Sequence, residues 1–304
     1  MHTFIIATTA AAALFSSGAF AQEPSKDTAS IPDFSGVWSH PYLPGYEPPT
    51  SGPGPVTNRS RVQAGPQRGV SGIDQLVGDY TNPILKPNAA EVVKRLGENE
   101  LRGIGLQNPI NQCWPEPVPL ILLEMGMLMF QQPGKITILY SRDHQIRHVR
   151  MNQPHPQRVT PSWSGDSVGH YEGDTLVIDT VGIKVGPFAT VDWFGTPYTD
   201  ALHVVERYRL IDYEAAKEGL ERAAKENLRI AGASAPDGDP TYRGKHLQLE
   251  FTVEDEGVFT MPWSATITYG RPRGEWPEYV CAENPHKYGT EKDAAVPTAD
   301  KPDF

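Results

Sequence analysis

Two stretches near the C-terminal end alternate apolar and polar side chains one by one. In the first, Leu247, Leu249, Phe251 and Val253 oppose His246, Gln248, Glu250 and Thr252. In the second, Phe259, Met261, Trp263, Ala265, Ile267 and Tyr269 oppose Thr260, Ser264, Thr266 and Thr268. A period of 2 is the pleat of a β-strand with one buried face, and a helix cannot gather such a set on one side. Glu254-Asp255-Glu256-Gly257 between them predicts a tight turn, so the two form a hairpin. A second hairpin is expected over 135–151, turning at Ser141-Arg142-Asp143. Strands at 167–171, 174–181 and 202–211, with 36–38 and 125–131, bring the total to about nine. Consecutive antiparallel strands with one apolar face remove their exposed edges by closing into a barrel or packing as a sandwich. The expected fold is mainly β, an antiparallel barrel or sandwich of lipocalin or calycin type.

Two short helical insertions interrupt the strands. Asn88-Ala89-Ala90-Glu91 has the form of a capping box, with Asn88 as N-cap, and opens a helix to about Leu101. From 214 to 228, Ala216, Leu220, Ala223, Ala224 and Leu228 recur on one helical face, with Glu218–Arg222 and Glu221–Lys225 as i,i+4 pairs on the other. Residues 41–83 are rich in Pro, Gly, Ser and Asn without any period, which predicts a long surface loop that is functional or held by packing.

The first 21 residues read as a signal peptide: a short apolar core followed by Ala19-Phe20-Ala21, although no Lys or Arg precedes the core. A single β-rich domain is expected over 22–304. The longest later apolar run, 118–130, is broken by Pro119, Glu124 and Gly126, so no membrane span is expected after cleavage. A net charge of −10 argues against binding nucleic-acid backbones or anionic lipid surfaces. The two cysteines, Cys113 and Cys281, in an exported chain suggest a disulfide and a periplasmic or secreted address.

Four segments resemble a widespread, poorly characterised family of exported bacterial proteins. They are Asp33-Phe34-Ser35-Gly36-Val37-Trp38; the run from Gly165-Asp166-Ser167-Val168-Gly169 through Glu172-Gly173-Asp174-Thr175-Leu176 to Asp179-Thr180; Leu202-His203-Val204-Val205-Glu206-Arg207-Tyr208; and Glu278-Tyr279-Val280-Cys281-Ala282-Glu283-Asn284. Members commonly carry Trp where Tyr171 stands, and His where Tyr198 and Ala282 stand. The resemblance implies export and no particular activity. Gly36-x-Trp38 also resembles the first strand of lipocalin-type barrels.

Within 202–210, Glu206 shares a face with Leu202, Val204, Tyr208 and Leu210. A carboxylate on an apolar face is either paired, here with an arginine such as Arg147 or Arg150, or becomes a general acid or base near neutral pH. His203 and Arg207 occupy the opposite face. His155, in Gln153-Pro154-His155-Pro156, is fixed on a stiff segment. His144 and His148, four apart on an expected strand, would share a face, but no third ligand marks a metal site. No nucleophile elbow, zinc-protease motif or phosphate loop is present.

These features suggest an exported enzyme doing acid–base chemistry without an organic cofactor or metal: a lyase, hydratase or isomerase acting on a small organic substrate in the barrel. The candidate catalytic residues are Glu206, His155, His203, Tyr208 and Arg207; Asp166, Tyr171, Asp174 and Trp263 are candidates for substrate binding. The rival readings are a non-catalytic lipocalin-like carrier of an apolar or aromatic ligand, and a structural module stapled by its disulfide.

Overall fold

The computed structural model describes residues 31–59, 76–102, 108–226 and 238–274, with single positions 104, 276, 280 and 281. The expected signal peptide, and the C-terminal family segment apart from Val280 and Cys281, lie outside the described residues. Nine strands follow one another around a nearly closed barrel: β1 Gly36–Ser39, β2 Gly126–Gln132, β3 Lys135–Tyr140, β4 Ile146–Met151, β5 Asp166–Glu172, β6 Thr175–Val181, β7 His203–Ile211, β8 His246–Glu254 and β9 Trp263–Tyr269. Helix α1 (Pro87–Leu101) lies between β1 and β2 in sequence, and α2 (Tyr213–Glu226) between β7 and β8. The expectation of a mainly β barrel with two helical insertions is met.

Every neighbouring pair is antiparallel except β4–β5, which is parallel, with Arg150 opposite Val168. This corrects the reading of uninterrupted antiparallel strands. An odd number of strands cannot alternate direction all the way round a closed ring, so one pair must run the same way. A parallel pair cannot be joined by a tight turn; the chain has to travel back along the barrel. Residues 152–165 make that return, and they carry His155.

The seam between β9 and β1 is closed by two backbone hydrogen bonds linking Ser39 and Gly270, of 2.9 and 2.8 Å. Elsewhere the edge of β9 is covered by the Pro/Gly-rich segment: Ser264 N–H donates to the Pro53 carbonyl at 3.1 Å and Thr266 N–H to the Glu47 carbonyl at 2.9 Å. Tyr42, Leu43, Tyr46 and Val56 of the same segment are buried, and the Tyr46 hydroxyl donates to the Val191 carbonyl at 2.7 Å. The described part of this loop is therefore held by packing over the barrel.

Arg271 locks the seam. Its guanidinium stacks over the Trp38 ring at 3.5 Å and donates to the Val37 carbonyl at 2.9 Å. Gly36 makes room for it: its φ is +106°, and a Cβ there would stand 2.6 Å from Arg271 Nη1. Gly36→Ala combines backbone strain with a clash, and is expected to lower stability by about 1–3 kcal/mol. A thermal melt matching wild type would show that Arg271 leaves the seam freely.

Three local readings are corrected. Helix α1 starts on Pro87 with Lys86 as the N-cap residue, and no side chain caps it. Proline at the first helical position is preorganised there, so Asn88 sits inside the helix and its amide reaches the Gly257 carbonyl at 3.5 Å. The β8–β9 connection is longer than a tight turn; Phe259 is buried before β9 begins, while Met261 is turned out to 47 % exposure. His144 lies in a 3₁₀ turn with φ +48°, off the strand, and does not share a face with His148. On α2, Ala216 and Ala223 are buried and Ala224 is exposed; a Cβ at Gly219 would stand 2.3 Å from Thr268 Oγ1, so the helix approaches β9 through small residues.

Candidate functional site

The barrel wall sorts the candidate residues onto two faces. Inside, Glu206 is fully buried and Arg147 of β4 is 1 % exposed. Arg147 donates to both Glu206 oxygens, at 3.1 Å to Oε1 and closer to Oε2. It also donates to Ser167 Oγ at 2.9 Å, Thr180 Oγ1 at 2.5 Å and Tyr140 OH at 3.3 Å. The Tyr208 hydroxyl completes the set, donating to Glu206 Oε1 at 2.6 Å. Desolvation works against the charge of Arg147, but the Glu206 carboxylate outweighs it and holds the guanidinium pKa above its usual value. Of the two readings of Glu206, the geometry supplies the paired one, with Arg147 as the partner rather than Arg150.

Outside, a chain of charges crosses β4 to β8. Arg150 on β4 pairs with Asp166 on β5 at 2.5 Å and 3.0 Å. Asp166 Oδ2 meets His155 Nδ1 at 2.7 Å, and His155 Nε2 meets Asp179 Oδ1 at 2.9 Å. The same Asp179 oxygen meets His203 Nε2 at 3.1 Å. His203 Nδ1 faces Glu254 Oε2 at 3.6 Å, beyond hydrogen-bond range. Register explains the alignment. Asp179 opposes Val168 and Val205, Arg150 opposes Val168, and His203 opposes Glu254, so all of these project outward, and the crossover lays His155 across β5 and β6.

The two histidines differ in what they can do. A carboxylate only accepts, so His203 donates from Nε2 to Asp179 and, when neutral, keeps a lone pair on Nδ1. His155 has carboxylates against both nitrogens and no free one. The hydrogen bond to Asp179 raises the pKa of His203, with burial opposing and the charge of Asp179 and both the charge and the longer contact of Glu254 assisting. Asp179 is held below the usual carboxylate range, first by its hydrogen bond from His203 and then, against burial, by His155. Asp166 is lowered by Arg150 and, again against burial, by His155. Beside His203 lies an open cleft of about 510 Å³ that Glu254, Glu256, Phe259, Met261 and Pro262 also line.

The other candidates stand apart. Arg207 is on the outer face with His203 and pairs with Glu172 at 2.5 Å, away from Glu206. Four residues along a strand place it about 13 Å from His203. Tyr171 faces inward and its ring lies parallel to Phe34, with centroids 6.5 Å apart. Asp174 sits in the β5–β6 turn, where its carboxylate accepts from Thr175 Oγ1 at 3.2 Å. Trp263, 2 % exposed, packs on Tyr46, Phe251 and Phe259 in the core.

No known protein family, curated protein or solved structure matches the chain. The site is therefore read from its own geometry.

A second ionisable cluster lies in the segment before β2, where no periodic pattern marks it. Glu116 and Glu124 are buried, and Arg142 Nε stands 3.3 Å from Glu116 Oε1. Burial pushes both carboxyls up, Glu124 to about 7, with Arg142 opposing. An acid whose folded pKa is raised stabilises most below its unfolded value. That contribution is lost as pH rises from about 4.5 towards 7 for Glu124. Glu124→Gln is expected to flatten the fall in melting temperature across this window. An unchanged slope would mean that Glu124 is ionised in the folded protein at pH 5.

Proposed function

We propose that the protein is an exported acid–base enzyme, a lyase, hydratase or isomerase, working without an organic cofactor at the outer face of the barrel beside His203. The observation that carries this reading is the Asp179–His203 hydrogen bond beside a cleft, with Nδ1 of His203 turned towards Glu254 at 3.6 Å. A carboxylate that fixes the tautomer of an imidazole and stabilises its cation is the arrangement that makes histidine an effective base. In this reading His203 Nδ1 takes a proton from a substrate carbon. It returns the proton to a second atom in an isomerisation, or to a departing oxygen in an elimination. His155 acts through Asp179, holding its Oδ1 in place, and Asp166 and Arg150 hold His155. The cysteine pair and the leader-like N-terminus support export. The two segments that supply Asp166, Asp179 and His203 are also two of those that carry the family resemblance.

The test is hydrogen exchange in D₂O, followed by proton NMR over a panel of small keto and β-hydroxycarbonyl compounds. The wild type is expected to exchange or convert at least one, and His203→Gln to lose about 100-fold or more of that rate. Because the base works unprotonated and its pKa is raised, kcat/KM is expected to rise with pH through a midpoint above 6.5. Asp179→Asn should move that midpoint down. A His203→Gln variant as active as wild type, or activity lost only on treatment with a chelator, would overturn the reading. Binding without exchange would make the protein a carrier.

A further inference from the structure

We propose that the cleft beside His203 selects organic cations, a protonated amine or quaternary ammonium on a small apolar body. The proposal rests on the reading of this cleft as the substrate site. One wall is apolar. Val181 and Pro262 line it, and Met261 stands 47 % exposed although the strand alternation would have placed it inside. A polarisable thioether held out to solvent in a cleft is a surface for methylene or aromatic groups.

The lining is also acidic. Glu254 and Glu256 are exposed there. Asp255, between them, is buried and spent on the turn: it accepts from Thr199 N–H at 2.6 Å, Thr199 Oγ1 at 2.7 Å and Gly257 N–H at 2.9 Å. The two glutamates are thus presented by a fixed turn. Among the described residues lining the cleft there is no lysine or arginine. Lys86 donates to the Glu256 backbone carbonyl and leaves its carboxylate unpaired by that contact. His203 is the single basic group in the lining, and two carboxylates, Asp179 and Glu254, already face it. An anion entering here meets two glutamates; a cation meets them with its body against Met261 and Pro262. The volume of about 510 Å³ suits a small organic molecule.

Three probes that share a phenyl ring and differ in charge test this on the whole protein: benzyltrimethylammonium, benzyl alcohol and benzoate. Labelled methionine methyls and the His203 ring protons report binding by NMR. The ammonium is expected to move the Met261 methyl and the His203 ring, and to bind about fivefold or more tightly than the alcohol. Benzoate should leave both unmoved. The double change Glu254→Gln, Glu256→Gln should remove the preference while the melting temperature holds. Equal binding of benzoate, an unmoved Met261 methyl, or a preference that survives the double change would overturn the proposal. The outcomes separate it from the catalytic reading. Selective binding in a protein whose His203→Gln variant keeps its exchange activity would sink the enzyme and leave the cation site. His203-dependent exchange with no charge preference would do the reverse.

Discussion

Arg147→Ala is expected to cost about 3–5 kcal/mol of folding stability, because it leaves Glu206 as an uncompensated charge inside the barrel. Arg147 is the sole guanidinium donating to that carboxylate among the described residues, and five side chains, those of Tyr140, Ser167, Thr180, Glu206 and Tyr208, are tied together through it or its partner. Removing the cation strips Glu206 of two donors and leaves it only the Tyr208 hydroxyl. The reverse change, Glu206→Gln, keeps the shape but strands the guanidinium, and should cost about 3 kcal/mol or more. Replacing both, with Met for Arg147 and Leu for Glu206, should recover much of the loss, since a buried pair gains little over well-packed apolar groups. Urea melts check all three, provided the slopes stay equal. Single variants that unfold at the wild-type urea concentration would mean that water reaches the pair. Wild-type stability of Glu206→Gln with activity down by about 100-fold would instead make Glu206 the working base, and would move the site indoors.

The inward face of β7 was legible because its period is strict. With Leu202, Val204 and Tyr208 on one side, Glu206 could only be buried, and a buried carboxylate needs a partner. What the pattern left open was the choice of arginine. Arg147 and Arg150 are three apart, so on a strand they fall on opposite faces; fixing which one points inward requires the register of β4 against β3, where Arg147 opposes Ile138. The outer chain of charges was legible residue by residue but not as a site. The sequence marks Asp166, His155 and His203 one at a time, and Asp179 only within the family-like run. Their meeting depends on the parallel β4–β5 pair, a property of nine strands closing a ring, which no local window contains. Asn88 failed as a cap because Pro87 before it is the stronger start signal. Met261 failed as a core residue because the alternation was carried through the turn that ends at Pro262. Glu116 and Glu124 lie in irregular chain, where burial leaves no periodic trace.

Removing the Cys113–Cys281 link is expected to lower stability by about 3–5 kcal/mol. The two Cα atoms stand 5.4 Å apart across a sequence separation of 168. The link joins the chain after β9 to the chain before β2, so eight of the nine strands lie inside the closed loop. In the chain-entropy account, a loop of that length costs the oxidised unfolded state about 5 kcal/mol of freedom, and strain or residual structure reduces the benefit. Local contacts add to it. Cys281 N–H donates to Asp143 Oδ1 at 2.5 Å, and Arg142 Nη2 lies 3.5 Å from Cys281 Sγ, so the tether also fixes the turn that places Arg142 against Glu116. The double variant Cys113→Ser, Cys281→Ser should therefore keep the native β spectrum and unfold at lower urea. It should also narrow the difference in stability between reducing and oxidising buffer to nothing, which separates the link from the packing of the buried Cys281 side chain. Intact mass of the protein recovered from an oxidising compartment should be two hydrogens lighter than the reduced chain, with no label taken up under denaturing, non-reducing conditions. Two labelled thiols in that experiment would show that the barrel stands without the link. Among the described residues, the Cys281–Asp143 and Arg142 contacts would then help hold its C-terminal end.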